Sequence, residues 1–212
     1  MGGKCISTDE KSSHLTRIKQ EDPMKIVALQ GSPRPKSNTA KILSWMVEEL
    51  HSLDHKVEVI QLVSKNINGC LACAKCKEEP ENIGCGQIDD ASEILVKMVA
   101  ADLVIFASPL YFWGVTAQMK ALIDRTYSLY VNFHKPNHSS LVKGQRQALL
   151  MTGGGGYDNN AEAAFTAFGR LQNPHMAVNA GELFIGGCST PEKLSVAIQE
   201  KAVAFAHEIT AK

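Results

Sequence analysis

The sequence predicts an α/β fold, a doubly wound five-stranded parallel sheet between two helical layers. Three observations carry this. Apolar runs of strand length alternate with segments of helical periodicity through five units, which implies a parallel sheet covered on both faces. LVIFA at 103–107 is continuously apolar, as a central parallel strand should be, whereas KVEVIQLV at 56–63 is half polar and belongs at an edge. An edge second strand gives the order 2-1-3-4-5, whose ligand crevice lies beside strands one and three.

The first strand, KIVALQ, begins at Lys25, and GSPRPKSNT leads from it into a helix with Ile42, Leu43, Met46, Val47 and Leu50 on one face. Asp89–Ala101 reads as the second helix through Ile94, Leu95, Met98 and Val99, and Val115–Tyr127 as the third, through Val115, Met119, Leu122 and Ile123. Val131–Gly144 has no clear period and reads as irregular. Gln147–Thr152 is the fourth strand, Ala161–Leu171 the helix carrying Phe165 and Phe168, and Glu182–Ile185 the fifth strand. Thr190 caps the last helix, with Pro191 at its first position and Leu194, Ile198, Ala202, Phe205 and Ile209 as its stripe. There is no internal repeat.

Length and composition bound the function. The 212 residues are 44% hydrophobic with a formal charge of zero, enough for one domain over 24–212. Balanced charge gives no reason to invoke nucleic acid or an anionic membrane surface. No apolar run approaches the roughly 18 residues of a membrane span. Residues 1–23 are polar and lack an apolar signal region, so they read as a flexible or partner-wrapping arm of a cytoplasmic protein. Gly2 and Cys5 hint at acylation, but Ile6 stands where Ser or Thr is needed, and Met24 could be a second start.

The turn after the first strand is an anion site in waiting. A strand that breaks into a helix leaves free N–H groups at the positive end of the helix dipole, and phosphate is their natural guest. Ser32, Ser37, Asn38 and Thr39 add side-chain donors, and Arg34 adds a cation. Capping of the helix by Asn38 or Thr39 alone would leave most of these donors unused. There is no Gly-Lys-Ser/Thr of a Walker loop, no three-glycine Rossmann fingerprint, and Leu29-Gln30 stands where a receiver domain has acids. A monophosphate cofactor fits what remains.

Two more loops open at the same rim. SPLYFWG, 108–114, places Tyr111, Phe112 and Trp113 after a central strand, where they could meet a flat ring, plug the sheet end or touch another subunit. TGGGGYDNN, 152–160, lets backbone approach a planar ligand, although a merely flexible loop looks the same. A phosphate turn, an aromatic loop and a glycine loop around one switch point describe a pocket for flavin mononucleotide, FMN.

Four of the six cysteines, Cys70, Cys73, Cys76 and Cys85, fall within sixteen positions as C-x2-C-x2-C and one more after eight residues. Without an export signal this favours a metal or cluster over disulfides. Three close thiolates and a distant fourth suit a cubane [4Fe–4S] cluster, with Gly69, Gly84 and Gly86 easing the turns, and suit zinc less. A reduced, cluster-free loop is the alternative. Cys188 reads as an ordinary buried thiol and Cys5 as an exposed one, while His134 and His138 read as solvated loop residues within reach of a substrate.

GSPRPKSNTAKIL, the GC-x2-C-x2-C block followed by Asp89-Asp90, and ASPLYFWGVTAQMKALIDR together resemble the flavodoxin-like NAD(P)H-dependent FMN reductases, especially their iron–sulfur flavoprotein branch. The resemblance spans Met24–Lys212, and the long spacing before Cys85 departs from the compact motif of that branch. It implies that Ser32, Arg34, Ser37, Asn38 and Thr39 hold the FMN phosphate. Pro109, Leu110, Tyr111, Phe112 and Trp113 would line the isoalloxazine with Gly153, Gly154 and Gly155. It further implies a homodimer or homotetramer.

The expected function is FMN-dependent electron transfer from NAD(P)H or a reduced ferredoxin-type donor to a small-molecule or protein acceptor, with Cys70–Cys85 as a one-electron port. Alternatives are a cluster-free quinone, nitro, azo or FMN reductase, a non-catalytic electron carrier, and a regulatory domain of this fold without cofactor.

Overall fold

The computed structural model describes residues 22–79 and 82–211, so Cys5 and the reading of the N-terminal arm fall outside the described residues except at Asp22 and Pro23. Strand β1 (Lys25–Gln30) leads to helix α1 (Asn38–Ser52), then strand β2 (Lys56–Gln61), the cysteine loop and helix α2 (Ala91–Val99). Strand β3 (Leu103–Pro109) and helix α3 (Ala117–Arg125) are followed by two-residue strands β4 (Tyr130–Val131) and β5 (Ser139–Ser140). Strand β6 (Arg146–Thr152), helix α4 (Glu162–His175), strand β7 (Val178–Ile185) and helix α5 (Val196–Thr210) complete the chain. The main sheet has the order β2-β1-β3-β6-β7, with every pair parallel, as the sequence predicts.

Side-chain alternation along the strands divides the core into two layers. Ile26, Ala28, Leu103, Ile105, Ala107, Ala148 and Leu150 pack with the apolar faces of α1 and α5. Val27, Leu29, Val104, Phe106, Leu149 and Met151 face α2, α3 and α4. Only the inner strands bury both faces, so only they carry continuous apolar runs.

Four details differ from the sequence reading. Strand β7 begins at Val178 rather than Glu182, because its polar first half pairs with β6 as the other sheet edge. There Gly181 passes so close to α5 that a Cβ would lie 2.8 Å from both Glu208 Oε1 and the Phe205 ring. Helix α4 continues through Pro174 to His175 instead of ending at Leu171. Its last residue is held in the core, with His175 Nε2 3.0 Å from Thr126 Oγ1 and Nδ1 3.1 Å from Gln147 Nε2. Thr190 and Pro191 open only a short 3-10 turn, since Leu194 is extended, and Ser195 starts α5 with its carbonyl accepting from Ile198 and Gln199 N–H. Finally, the segment read as irregular contains the β4–β5 ladder and an aromatic cluster of Tyr127, Tyr130, Phe133 and His138. No helix among the described residues is long and apolar enough to cross a membrane.

Candidate functional site

The strand order reverses between β1 and β3, and the loops beyond their carboxyl ends are stitched together there. Gly31 N–H donates to Ala107 O at 2.7 Å, and Thr116 Oγ donates back to Gly31 O at 2.6 Å. Thr116 N–H in turn donates to Ser108 Oγ at 3.1 Å. A Cβ at Gly31 would sit 3.0 to 3.2 Å from Met119 and Thr116, so a side chain there would push the turn off α3. Gln30, wholly buried, accepts from Ser32 N–H, and Ser32 Oγ accepts from Arg34 N–H at 3.2 Å.

Ser37, rather than Asn38 or Thr39, is the N-cap of α1, its Oγ accepting from Ala40 N–H at 3.1 Å. Lys41 N–H reaches Ser37 O at 2.9 Å, so Asn38 and Thr39 N–H lie in the first turn with no carbonyl of the helix to bond. Thr39 has a different task. Its hydroxyl meets the Thr152 hydroxyl at 2.7 Å in the interior, tying the start of α1 to the end of β6.

These contacts frame a cleft of about 200 Å³. Ser32, Arg34, Ser37, Asn38 and Thr39 line it from one side, with Pro109, Leu110, Tyr111, Gly153 and Gly154 opposite. Three predicted residues stand outside this lining. Gly155 turns its carbonyl to Gly187 N–H at 3.2 Å. Phe112 and Trp113 project beyond the rim, 95% and 60% exposed. Tyr111 and Gly114 exchange backbone hydrogen bonds of 2.9 and 3.1 Å around them. Both central residues have positive φ, +46° and +61°, in a tight turn that ordinarily takes Asn-Gly.

Sequence reasoning missed Lys36, Thr152, Cys188, Ser189 and Pro191, which also line the cleft. Cys188 is half-buried there rather than an ordinary core thiol, and burial raises its pKa against the Gly153 backbone hydrogen bond. The loop after the last strand opens on the same rim as the others, and that rule alone would have found it.

The donor set fits FMN. Free N–H groups, the hydroxyls of Ser32 and Ser37, and Arg34 suit a phosphate. Asn38 Oδ1, buried without a hydrogen-bond partner among the described residues, is an acceptor for a guest's hydroxyl. At Gly153 a Cβ would come 3.0 Å from the Phe184 ring, so only glycine keeps this wall of the cleft flat.

The cysteine loop lies between β2 and α2. Cys70 and Cys73 are exposed, Cys76 and Cys85 half-buried. Its left-handed turns fall at Ala72 and Ala74, φ +53° and +58°, rather than at the neighbouring glycines. Ala72 N–H points at Cys70 Sγ, 3.4 Å away, and the Arg125 guanidinium donates Nε–H to Cys85 Sγ at 3.2 Å. Burial raises the Cys76 pKa; the Lys77 charge opposes this, and the nearby Cys85, Cys70 and Cys73 reinforce it. Among the described residues no three His, Cys, Asp or Glu side chains are close enough to share one metal ion. The four thiols share one wound loop and two of them are hydrogen-bonded at sulfur, so what speaks for an iron–sulfur cluster is the chemistry of the donors and not a preformed site.

The loop is fastened at both ends. Asp90 Oδ2 accepts from Asn66 N–H at 2.7 Å, and Asp89 Oδ2 accepts from Asn68 N–H at 3.0 Å. In its middle, Lys77 Nζ donates to Tyr130 O at 2.7 Å and lies 4.2 Å from the centre of the Tyr127 ring. The two loop histidines are elsewhere. His138 Nδ1 is 3.1 Å from Val131 O, and His134 packs on Phe133, so neither faces the cleft.

The chain is similar to known proteins. Residues 24–188 match the family model described as NADPH-dependent FMN reductase. An iron–sulfur flavoprotein of Methanocaldococcus jannaschii is 41% identical over 114 residues, 54% of this chain and 58% of that protein. One of Archaeoglobus fulgidus is 42% identical over 102 residues, 48% of this chain and 45% of its own. The chain thus spans about half the length of the curated relatives it matches. Among solved structures, an FMN-dependent NADH-azoreductase from Bacillus anthracis superposes with a TM-score of 0.67 at 14% identity, over 88% of this chain and all of that one, which speaks for the fold alone. A matched segment that takes in the turn, the cysteine block, the aromatic loop and Cys188 is decisive: the chain belongs to the NADPH-dependent FMN reductase family and is similar to its iron–sulfur flavoproteins.

Proposed function

We propose that the protein is an FMN-dependent oxidoreductase that takes electrons from NAD(P)H or a reduced ferredoxin-type donor and passes them to a small-molecule or protein acceptor. The observation that carries the reading is the start of α1, where the Asn38 and Thr39 N–H groups that no helix carbonyl reaches, Ser32, Ser37 and Arg34 converge at the switch point of the sheet. Bound FMN would supply the redox chemistry, accepting a hydride or single electrons. The chain's part is to bind and orient it. The α1 terminus and Arg34 neutralise the phosphate. Gly153 and Gly154 leave room for a planar group at the cleft wall, Tyr111 lines it, and the Phe112-Trp113 tip beyond the rim would fold over such a group.

Cys70, Cys73, Cys76 and Cys85 would hold a [4Fe–4S] cluster as the one-electron port, in line with the names of the relatives. That no three of the described side chains are close enough to share one metal ion favours a second reading, a cluster-free reductase of quinones, nitro or azo compounds. A homodimer or homotetramer would cover the exposed Phe112 and Trp113.

The visible spectrum of protein purified without oxygen, with iron and acid-labile sulfide assayed on the same sample, separates the readings. Flavin bands over a broad shoulder with about four irons per chain support the cluster port. Clean flavin bands without iron support the cluster-free reductase. A colourless protein that does not take up added FMN overturns both.

A further inference from the structure

Arg125 is a cation sealed inside the molecule at the root of the cysteine loop. Its side chain has no exposed surface, and the Asp89 side chain facing it is 1% exposed. The residue closes α3, the helix that follows the aromatic loop, and each arm of its fork is used. Nη1 donates to Asp89 Oδ2 at 2.6 Å and to Asn68 O at 2.9 Å, and Nη2 donates to Asp89 Oδ1 at 3.0 Å. Nε–H, on the other edge of the fork, goes to Cys85 Sγ at 3.2 Å. Asn68 and Asp89 are the two ends of the cysteine loop. One guanidinium therefore closes the loop and also fixes one of its sulfurs.

Two of the other thiols are more open to solvent. Cys70 and Cys73 are exposed, and among the described residues the hydrogen bond at the Cys70 sulfur comes from its own turn, at Ala72 N–H. Cys85 is also the cysteine that sequence spacing leaves remote from the other three. A remote ligand on a free loop must be found anew at each assembly, whereas an anchored one is a fixed corner on which the others close.

We infer that Arg125 is a positioning residue for an iron–sulfur cluster, holding Cys85 as its pre-placed fourth corner through the Nε–H···Sγ bond. The inference rests on the reading of the cysteine loop as a cluster port. Loss of the bond frees the fourth corner, and the iron it holds becomes labile. Wherever the cubane survives, loss of a donor to a ligating sulfur shifts its reduction potential to more negative values.

The test uses the full chain, reconstituted anaerobically with ferrous iron and sulfide. Arg125→Lys keeps a charge opposite Asp89, but a single ammonium cannot reproduce the fork and also reach Cys85. Should that variant fail to fold, Arg125→Leu combined with Asp89→Asn removes both charges together. Iron per chain, the EPR spectrum of the oxidised protein and the reduction potential are measured, with FMN content as control and Cys85→Ala as the reference for a missing corner. Expected are wild-type FMN content and either a fall from about four irons to about three with the paramagnetic signal of an oxidised three-iron cluster, or a retained cubane at more negative potential. Wild-type iron, EPR silence and potential in the variants overturn the inference alone. Wild-type protein that binds FMN and takes up no iron overturns the cluster reading and the inference with it.

Discussion

Arg125 and Asp89 meet through two parallel hydrogen bonds, 2.6 and 3.0 Å, with both side chains withdrawn from water. Burial alone would raise the Asp89 pKa. The Arg125 fork and the N–H groups of Asn68 and Ala91 outweigh it and hold the carboxyl below its ordinary range. Removing one partner strands the other charge. Asp89→Ala should lower unfolding free energy by about 3–5 kcal/mol, and Arg125→Met with Asp89→Leu should recover much of it. Urea denaturation of the two variants checks this, and equal losses would show that the charges are not what matters.

His175 gives a pH signature. Burial lowers its pKa to about 4, and its ring nitrogens are taken by Thr126 and Gln147. The unfolded chain binds a proton on this residue near pH 6.5 that the native state refuses until about pH 4, so stability falls as pH drops through that window. The gap between the two proton affinities is worth about 3 kcal/mol. Denaturation at pH 7 and pH 5 should differ by roughly 2 kcal/mol in the wild type on this account. His175→Gln should flatten the difference, and an unchanged slope would refute the assignment.

Ser37 has two separable roles. As the N-cap of α1 it is worth about 1 kcal/mol of stability, which Ser37→Ala loses and Ser37→Gly largely keeps. As a cleft hydroxyl it should be missed in both variants. Combined with Arg34→Ala, Ser37→Ala should weaken FMN binding by roughly 2–5 kcal/mol. Calorimetric titration of apo-protein with FMN reads this, and wild-type affinity would remove these residues from the phosphate site.

The Phe112-Trp113 turn stores backbone strain of about 1–3 kcal/mol per residue, because bulky side chains sit at positive φ. Replacing the pair by Asn-Gly should raise the melting temperature of the flavin-free protein and speed loss of FMN from the holoprotein. Faster loss without stabilisation would mean that the turn is unstrained. Stabilisation without faster loss would mean that the aromatics do not cover the flavin.

The sheet order is legible in the sequence because inner and edge strands differ in burial, and burial writes itself directly into apolar pattern: LVIFA against KVEVIQ. Most of the cleft lining is legible for a related reason, since a strand-to-helix turn confines its donors to one place. The rest depends on distance in sequence. Nothing local announces that Arg125 would close a loop ending at Asp89, or that Thr39 would reach Thr152, 113 positions away. Ser195 is masked as a helix start because Thr190-Pro191 is a stronger local signal, and extended Leu194 overrides it. Glycines around the cysteines draw attention from Ala72 and Ala74, whose positive φ is imposed by the loop rather than invited by the residue.

Thr39 and Thr152 share one hydrogen bond between two hydroxyls, so one of the two protons is always left to point elsewhere. Both residues border the cleft. An acceptor arriving beside Thr39 turns that hydroxyl outward and makes Thr152 the donor within the pair; one arriving beside Thr152 does the reverse. Occupancy at the start of α1 is thereby read at the end of β6 as the rotation of a single O–H bond, with the backbone of both elements at rest.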